Sequence, residues 1–192
     1  MNASNPATPN RSDDRTPEEW WRTLCEVVVP NRRGARIVVS GDLHQDPLAA
    51  LEQLREWQAF GITHILDVRG EYSDRAFVAE HAPEVGYIEC GTHDDGAFGV
   101  HQDGSWFDAA LAGLGDILSD PDAVVLVHCH MGVNRAPSMA LRLLLEQGAS
   151  LEPALDAIRA AWDMRVLLQF GRREPTRPCH RVGSCLTCVG LV

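Results

Sequence analysis

The chain has 192 residues, of which 45% are hydrophobic and 23% are charged, and its formal net charge is −10. This length and composition are typical of a single globular domain and argue against wholesale disorder. The negative charge disfavours nucleic acid as a partner, because nucleic-acid binding depends on many lysine and arginine contacts to phosphate groups. Any phosphate that the chain binds must therefore be held by a local site.

No run of about 18 apolar residues occurs, so the sequence predicts no transmembrane helix and no membrane partner. Residues 1–14 are polar and lack the apolar core of a signal peptide. The six cysteines are unevenly spread, and a chain of this length does not need disulfide bonds to fold. We therefore expect a cytoplasmic protein with mainly reduced thiols. The pattern makes no prediction about its oligomeric state.

Composition divides the chain into three parts. Residues 1–16 are rich in Asn, Ser, Thr, Asp and Pro and are predicted to be a flexible arm. Residues 17–171 are predicted to form the main domain, and residues 172–192 form a Cys-rich tail. Pro17, followed by two glutamates, is typical of the first turn of a helix.

Strands and helices are predicted to alternate along the main domain. Strands are expected at 36–40, 62–68, 86–90 and 123–128, and helices from Asp46-Pro47 to Gly61, within 70–83, and at 105–118, 137–147 and 152–164. A strand, a helix and a strand in close succession suggest a right-handed parallel βαβ unit. The predicted fold is α/β, a three-layer sandwich with a mostly parallel sheet of four or five strands and helices on both faces. The apolar strand 123–128 is expected at its centre.

The strongest functional signal is the sequence H-C-H-M-G-V-N-R at residues 128–135. The central strand would deliver Cys129 to the carboxyl edge of the sheet, where α/β proteins bind ligands. Residues 129–135, which we call the phosphate loop, would lead into a helix with their N–H groups turned inward around an anion. Gly132 permits the tight turn that this path requires.

Two charges complete this predicted site. Helix N-termini and nearby cations lower the pKa of a cysteine from about 8.5 to roughly 3.5–7.5, so Cys129 is expected to be ionised at neutral pH. Arg135 is expected to return to the rim of the loop, where its planar guanidinium can bind two phosphate oxygens.

The spacing Cys-x5-Arg, in the fuller form H-C-x-x-G-x-x-R, resembles the signature of the cysteine-dependent protein tyrosine phosphatase superfamily. The segments I-V-V-S-G-D-L, I-T-H-I-L-D-V-R, S-W-F-D-A-A-L and R-A-P-S-M-A are similar to the dual-specificity branch, over about residues 35–170. The resemblance implies that residues 17–171 are a catalytic domain that hydrolyses phosphomonoesters through a phosphocysteine, without a metal or cofactor. Cys129 would be the nucleophile and Arg135 the phosphate clamp. The phosphate-binding residues would be His130, Met131, Gly132, Val133, Asn134 and Arg135.

The resemblance also implies an aspartate in a preceding loop that protonates the leaving group. A positioned general acid is worth roughly 10²–10⁴-fold in rate. Asp95 is favoured, because family members often place the acid directly before a glycine. Asp94 is the close alternative, and Asp103 is a more distant one.

The implied substrates are phosphotyrosine and phosphoserine or phosphothreonine in proteins, or a small phosphomonoester. Two alternatives remain open. Ala136 stands where many relatives have Ser or Thr, which brings the rate of phosphocysteine hydrolysis into question and allows a catalytically weak phosphate-binding scaffold. Asn134 is similar to the corresponding residue of RNA 5′-triphosphatases, although their basic approach surface is at odds with this acidic chain.

Four weaker signals remain. Arg69 could assist phosphate approach or order its own loop by pairing with a carboxylate. His128 is interpreted as a hydrogen-bonding residue that orients the loop. Cys90 could form a protective disulfide with Cys129 or simply be a buried strand residue. The tail residues Cys179, His180, Cys185 and Cys188 could bind zinc, but free thiols are the simpler interpretation.

Overall fold

The computed structural model describes residues 17–94 and 103–170, without the side chains of residues 17–19 and 164–170. The predicted N-terminal arm and Cys-rich tail lie outside the described residues, and so does Asp95. Of the described helices, none has the length and hydropathy that a bilayer span requires.

Five strands of the described chain form one sheet in the order β1-β2-β5-β3-β4. The strands are β1 (Cys25–Glu26), β2 (Arg36–Ser40), β3 (His64–Arg69), β4 (Gly86–Thr92) and β5 (Val124–His128). β5 pairs in parallel with β2 and β3, and β3 pairs in parallel with β4, whereas β1 is antiparallel to β2. The mostly parallel α/β sheet is therefore confirmed, with β5 at its centre.

Helices cover both faces of this sheet. They are α1 (Pro47–Phe60), α2 (Arg75–His81), α3 (Gly104–Leu114), α4 (Arg135–Glu146) and α5 (Leu151–Phe170), together with two 3-10 helices (Pro17–Arg22 and Gly115–Ser119). Successive side chains of a strand point to opposite faces, so Val125 and Val127 pack with α3, α4 and α5, whereas Val124 and Leu126 pack with α1 and α2. Because apolar strand residues point to both faces, helices pack on both sides of the sheet, and the predicted three-layer arrangement is present.

The boundaries differ from the prediction at several places, including α5, which is predicted to end at 164 and ends at Phe170. β1 was missed, because a two-residue edge strand carries no periodic pattern. α4 begins at Arg135, before Pro137, because a proline in the first turn removes no helical hydrogen bond. α3 ends at Leu114, since the φ of Gly115 is +49° and the chain continues as a 3-10 helix.

α1 begins and ends where the sequence predicts. The carboxylate of Asp46 accepts the N–H groups of Leu48 and Ala49, both at 3.0 Å, and thereby satisfies donors that a helix start leaves open. Gly61 ends the helix with a φ of +95°. This helix packs Trp57 against the ring of His128, with ring centroids 5.7 Å apart.

His128, the last residue of β5, is 0% exposed. Neither of its ring nitrogens has a hydrogen-bond partner among the described residues, so the predicted hydrogen bond that would orient the loop is not seen there. Burial lowers the pKa of His128, and the carboxylate of Asp67, 3.7 Å from Nε2, opposes that shift only in part. The imidazole is therefore held in its neutral form in the core.

This burial predicts a pH-dependent stability. Below about pH 6.5 the unfolded chain protonates His128, whereas the folded chain resists protonation, so the free energy of unfolding should fall by up to about 1.4 kcal/mol per pH unit until the lowered pKa is reached. His64, whose pKa burial also lowers, acts in the same direction. Urea denaturation from pH 7.5 to pH 5.5 should show a weaker pH dependence for His128→Gln than for the wild type. The exposed-residue control His81→Gln should keep the wild-type slope, and an unchanged slope in His128→Gln would contradict the prediction.

Candidate active site

The phosphate loop folds back over the sulfur of Cys129. The N–H of Gly132 donates a hydrogen bond to Sγ over 3.2 Å, and the residue is 1% exposed. Gly132 has a φ of +64°, a conformation that favours glycine. The nucleophile candidate thus lies at the base of a loop that joins the central strand to the N-terminus of α4, as the sequence predicts.

Arg135 is the first residue of α4, and its side chain is 1% exposed. Nη1 donates to Oε2 of Glu71 over 2.7 Å and to the carbonyl oxygen of Thr92 over 2.8 Å. Nε lies 3.5 Å from Oδ2 of Asp94 but is a buried donor without a hydrogen-bond partner among the described residues. A buried N–H group of a cation usually has a hydrogen-bond acceptor, so the Nε–H of Arg135 can accommodate one.

The electrostatics connect Arg135 to the sulfur. Burial acts to lower the pKa of Arg135, but the hydrogen bond to Glu71 and the charges of Cys129, Glu71 and Asp94 outweigh burial and raise the pKa. The guanidinium therefore stays charged in its buried position.

Of the two acid candidates within the described residues, Asp94 lies at the loop and Asp103 does not. Oδ1 of Asp94 accepts a hydrogen bond from Nδ2 of Asn134 over 2.8 Å, beside the guanidinium of Arg135. Asp103 instead caps α3, accepting the N–H of Trp106 over 3.2 Å and the hydroxyl of Ser105 over 2.6 Å. The favoured candidate, Asp95, lies outside the described residues.

The remaining loop side chains form its outer surface. Met131 and Val133 are exposed, at 41% and 42%. His130 is half exposed, and its Nδ1 lies 2.8 Å from Oδ2 of Asp42. Asp42 also donates its backbone N–H to the carbonyl oxygen of His130 over 3.1 Å. The first loop residue is therefore tied to the segment that follows β2.

Sequence reasoning missed Asp42, which is 0% exposed. Its carboxylate also accepts the hydroxyl hydrogen of Tyr72 and a hydrogen bond from Nη2 of Arg22, the latter over 3.4 Å. The signal that could have found it is the parallel pairing of Ser40 with His128, which carries residues 41–42 alongside the start of the loop. Strand order was needed to use that signal.

Arg69 orders its own loop, the second of its two interpretations. It is 4% exposed. Its Nε and Nη2 donate to the two carboxylate oxygens of Asp67 over 2.8 and 2.7 Å, and Nη2 also donates to Asp74 over 2.6 Å. Burial acts to lower the pKa of Arg69, but the two carboxylates raise it. The guanidinium of Arg69 is therefore bound by carboxylates of the protein itself.

Three further sequence signals have a structural use. Ala136 is 0% exposed and packs in the core. Ser138 donates its hydroxyl hydrogen to the carbonyl oxygen of Asn134 over 2.9 Å, within the first turn of α4. Cys90 donates to the carbonyl oxygen of Trp106 over 3.4 Å, and burial raises the pKa of its thiol. In the described part of the chain, Cys90 and Cys129 are free thiols.

Within the described residues, no group of three or more His, Cys, Asp or Glu side chains could hold a metal ion. The four tail residues considered as zinc ligands lie outside the described ranges.

No family model matches the sequence, but several solved structures resemble the fold. A glycine-to-alanine mutant form of Tk-PTP is 16% identical with a TM-score of 0.51, and the match covers 76% of this chain and 91% of that chain. The Siw14 catalytic core is 18% identical with a TM-score of 0.50, covering 76% and 80%. A putative protein tyrosine phosphatase from Leishmania major is 22% identical with a TM-score of 0.48, covering 79% and 98%. The two matches with TM-scores of at least 0.50 show that the chain has a protein tyrosine phosphatase-like fold, and its loop sequence resembles the signature of the superfamily with that fold.

Proposed function

We propose that the chain is a phosphatase that hydrolyses phosphomonoesters through a phosphocysteine intermediate. The observation that carries this proposal is the pairing of two buried groups in one loop. The Cys129 sulfur accepts the Gly132 N–H. The buried Nε of the charged Arg135 guanidinium makes no hydrogen bond within the described residues, and Oδ2 of Asp94 lies 3.5 Å from it. A phosphate oxygen is the acceptor that a guanidinium beside a nucleophilic sulfur would bind.

The proposed reaction has two steps. The Cys129 thiolate attacks phosphorus in line, and the bond from phosphorus to the leaving oxygen breaks while Asp95 or Asp94 donates a proton to that oxygen. Water then attacks the phosphocysteine, the carboxylate accepts a proton from that water, and the sulfur–phosphorus bond breaks to release phosphate. The N–H groups of residues 130–135 and the Arg135 guanidinium stabilise the charge on the phosphoryl oxygens in both steps.

The charges around the loop support a singly phosphorylated substrate. Glu71 and Asp94, whose side chains are 42% and 36% exposed, lie against Arg135. These carboxylates repel a second anionic group near the bound phosphate. We therefore favour phosphotyrosine and phosphoserine or phosphothreonine in proteins, or a small phosphomonoester, over the RNA 5′-triphosphate alternative.

The central test is turnover of p-nitrophenyl phosphate by the wild type and by Cys129→Ser. Removal of the nucleophile should lower kcat by at least about 10³-fold, because the hydroxyl cannot replace the thiolate. Cys90→Ser, a matched substitution outside the loop, should keep wild-type activity. Acid quenching of the wild-type reaction should trap one phosphoryl group on Cys129, detected by mass spectrometry.

The same assay separates the alternatives. Phosphopeptide binding without turnover by the wild type would support the scaffold and refute the enzyme. Phosphate release from 5′-triphosphate RNA that exceeds release from phosphopeptides, with steep salt dependence, would refute the proposed substrate class.

A second prediction concerns the general acid. Substitution of the true acid by asparagine should lower kcat by roughly 10²–10⁴-fold and remove the alkaline limb of the pH–rate profile. Asp94 contacts Asn134 and lies beside Arg135, so Asp94→Asn should raise KM whether or not Asp94 is the acid. If Asp95 is the acid, Asp94→Asn should raise KM and keep the alkaline limb, whereas Asp95→Asn should lose the alkaline limb. The loss should be larger for alkyl phosphates than for p-nitrophenyl phosphate, whose leaving group needs less protonation. Retention of the alkaline limb in both variants would exclude both aspartates and leave Asp103, the more distant candidate, to be tested by Asp103→Asn.

A further inference from the structure

An apolar cavity of about 150 Å³ opens beside the phosphate loop. Gly132 and Val133 of the loop line it together with Ile158 and Trp162 of α5, and residues of α4, β1 and β2 complete the lining. Among the described residues that line this cavity, Arg159 alone is charged. The loop that holds the nucleophile candidate is thus also one wall of an apolar space.

Aromatic contacts hold the tryptophan wall of the cavity in place. The ring of Trp162 packs edge-on against Trp20, with ring centroids 5.6 Å apart, and Trp20 packs against Trp21 at 6.2 Å. The carbonyl oxygen of Trp21 accepts the N–H of Gly41 over 2.6 Å. Gly41 directly precedes Asp42, which contacts the start of the phosphate loop. The wall and the loop are therefore fixed to the same segment of the chain, so the cavity is preformed.

The cavity is continuous with the predicted phosphate site. The N–H of Gly132 lies 3.2 Å from the sulfur of Cys129, and the next residue, Val133, is 42% exposed. Consecutive Cα atoms are about 3.8 Å apart, so Val133 lies one residue away from the amide that bonds to the sulfur. A peptide whose phosphate is bound by the loop would therefore place its neighbouring side chains beside the cavity.

Size and polarity restrict what this cavity can hold. An apolar cavity of about 150 Å³ stays dry and accommodates a benzene ring, which is close to the size of a phenylalanine or leucine side chain. The single charged lining residue, Arg159, lies 3.2 Å from Asp156, and both side chains are largely exposed. Such a surface ion pair contributes little, so the lining suits an apolar group better than a second phosphate.

We propose that the cavity is a subsite for one large apolar side chain, aromatic or branched aliphatic, that lies one or two residues from the phosphorylated residue of a protein substrate. This inference rests on the proposed function and narrows its substrate class. Burial of the side chain removes apolar surface from water, and the preformed walls lower the cost of binding.

The test compares synthetic peptides that carry phosphotyrosine in an alanine background, with leucine placed singly at each of the two positions before and after it. Binding to the full-length Cys129→Ser protein is measured by isothermal titration calorimetry, so that no turnover is needed. At the preferred position, leucine should tighten binding about tenfold relative to alanine, because its side chain leaves water. This ratio should not change between about 0.05 and about 0.3 M salt, since salt screens charges and not apolar contacts.

Two adjacent alanines of α5 provide a matched pair of variants. Ala161 lines the cavity, whereas Ala160 is exposed and does not line it. Ala161→Leu should fill the cavity and abolish the difference between the leucine and alanine peptides, and Ala160→Leu should keep that difference. Ile158→Ala enlarges the cavity without inserting atoms and should shift the preference from leucine to phenylalanine or tryptophan. Thermal unfolding checks the fold of each variant, and Ile158→Ala decides if Ala161→Leu does not fold.

Three results would overturn the inference. Leucine could fail to tighten binding at all four positions, as expected if a segment of the chain from outside the described residues fills the cavity. The leucine preference could survive unchanged in both Ala161→Leu and Ile158→Ala, which would place its origin elsewhere. The unphosphorylated leucine peptide could bind as tightly as the phosphorylated one, which would make the cavity a docking site that is independent of the phosphate.

Turnover separates the subsite from the proposed function. In the wild type and in Ala160→Leu, kcat/KM for the preferred leucine peptide should exceed that for the alanine peptide about tenfold. An inactive wild type whose Cys129→Ser form still prefers the leucine peptide would refute the proposed function and leave the subsite standing. An active wild type that hydrolyses and binds both peptides equally well would refute the subsite alone.

Discussion

A buried guanidinium needs acceptors around it, because removal of a charge from water is costly unless nearby groups compensate. Arg135 receives that compensation from the carbonyl of Thr92 at the end of β4, the carboxylates of Glu71 after β3 and Asp94 after β4, and the sulfur of its own loop. These groups come from the carboxyl ends of adjacent parallel strands. The order of strands in the sheet is therefore what makes a charged Arg135 tolerable in the interior.

A second buried cation supports the first. Arg69 is enclosed by Asp67 and Asp74, and its Nη1 lies 3.8 Å from Asp42. Asp42 in turn contacts His130. The two arginines and their carboxylates form two ion-pair groups at the same edge of the sheet. Breaking one partner in such a set leaves an uncompensated charge, so we expect the geometry of the loop to be stiff before any ligand arrives.

The sequence was sufficient for local features and insufficient for long-range ones. β5, the position of Cys129 at its end and the cap of α1 by Asp46 follow from patterns within a few residues of each other. Glu71 and Asp42 were missed because each acts on a partner 64 or 88 residues away, and only the strand order brings those segments together. β1 was missed because a two-residue strand depends on its neighbour β2 and not on its own composition. The identity of the acid could not be predicted, because Asp94 and Asp95 are adjacent in a glycine-rich loop whose backbone path sets their directions.

Arg69 bonds to Asp67 and to Asp74 and so holds both ends of the segment formed by residues 70–73. These contacts limit how this edge of the molecule can change over evolution. An added residue between Asp67 and Asp74 would displace the chain by about 3.3 Å, which exceeds the tolerance of a hydrogen bond. The connection after β3 is therefore fixed in length, unlike most surface loops, which accept insertions at little cost. Change at this edge would have to proceed by exchange of side chains, or by growth of other connections around the phosphate loop.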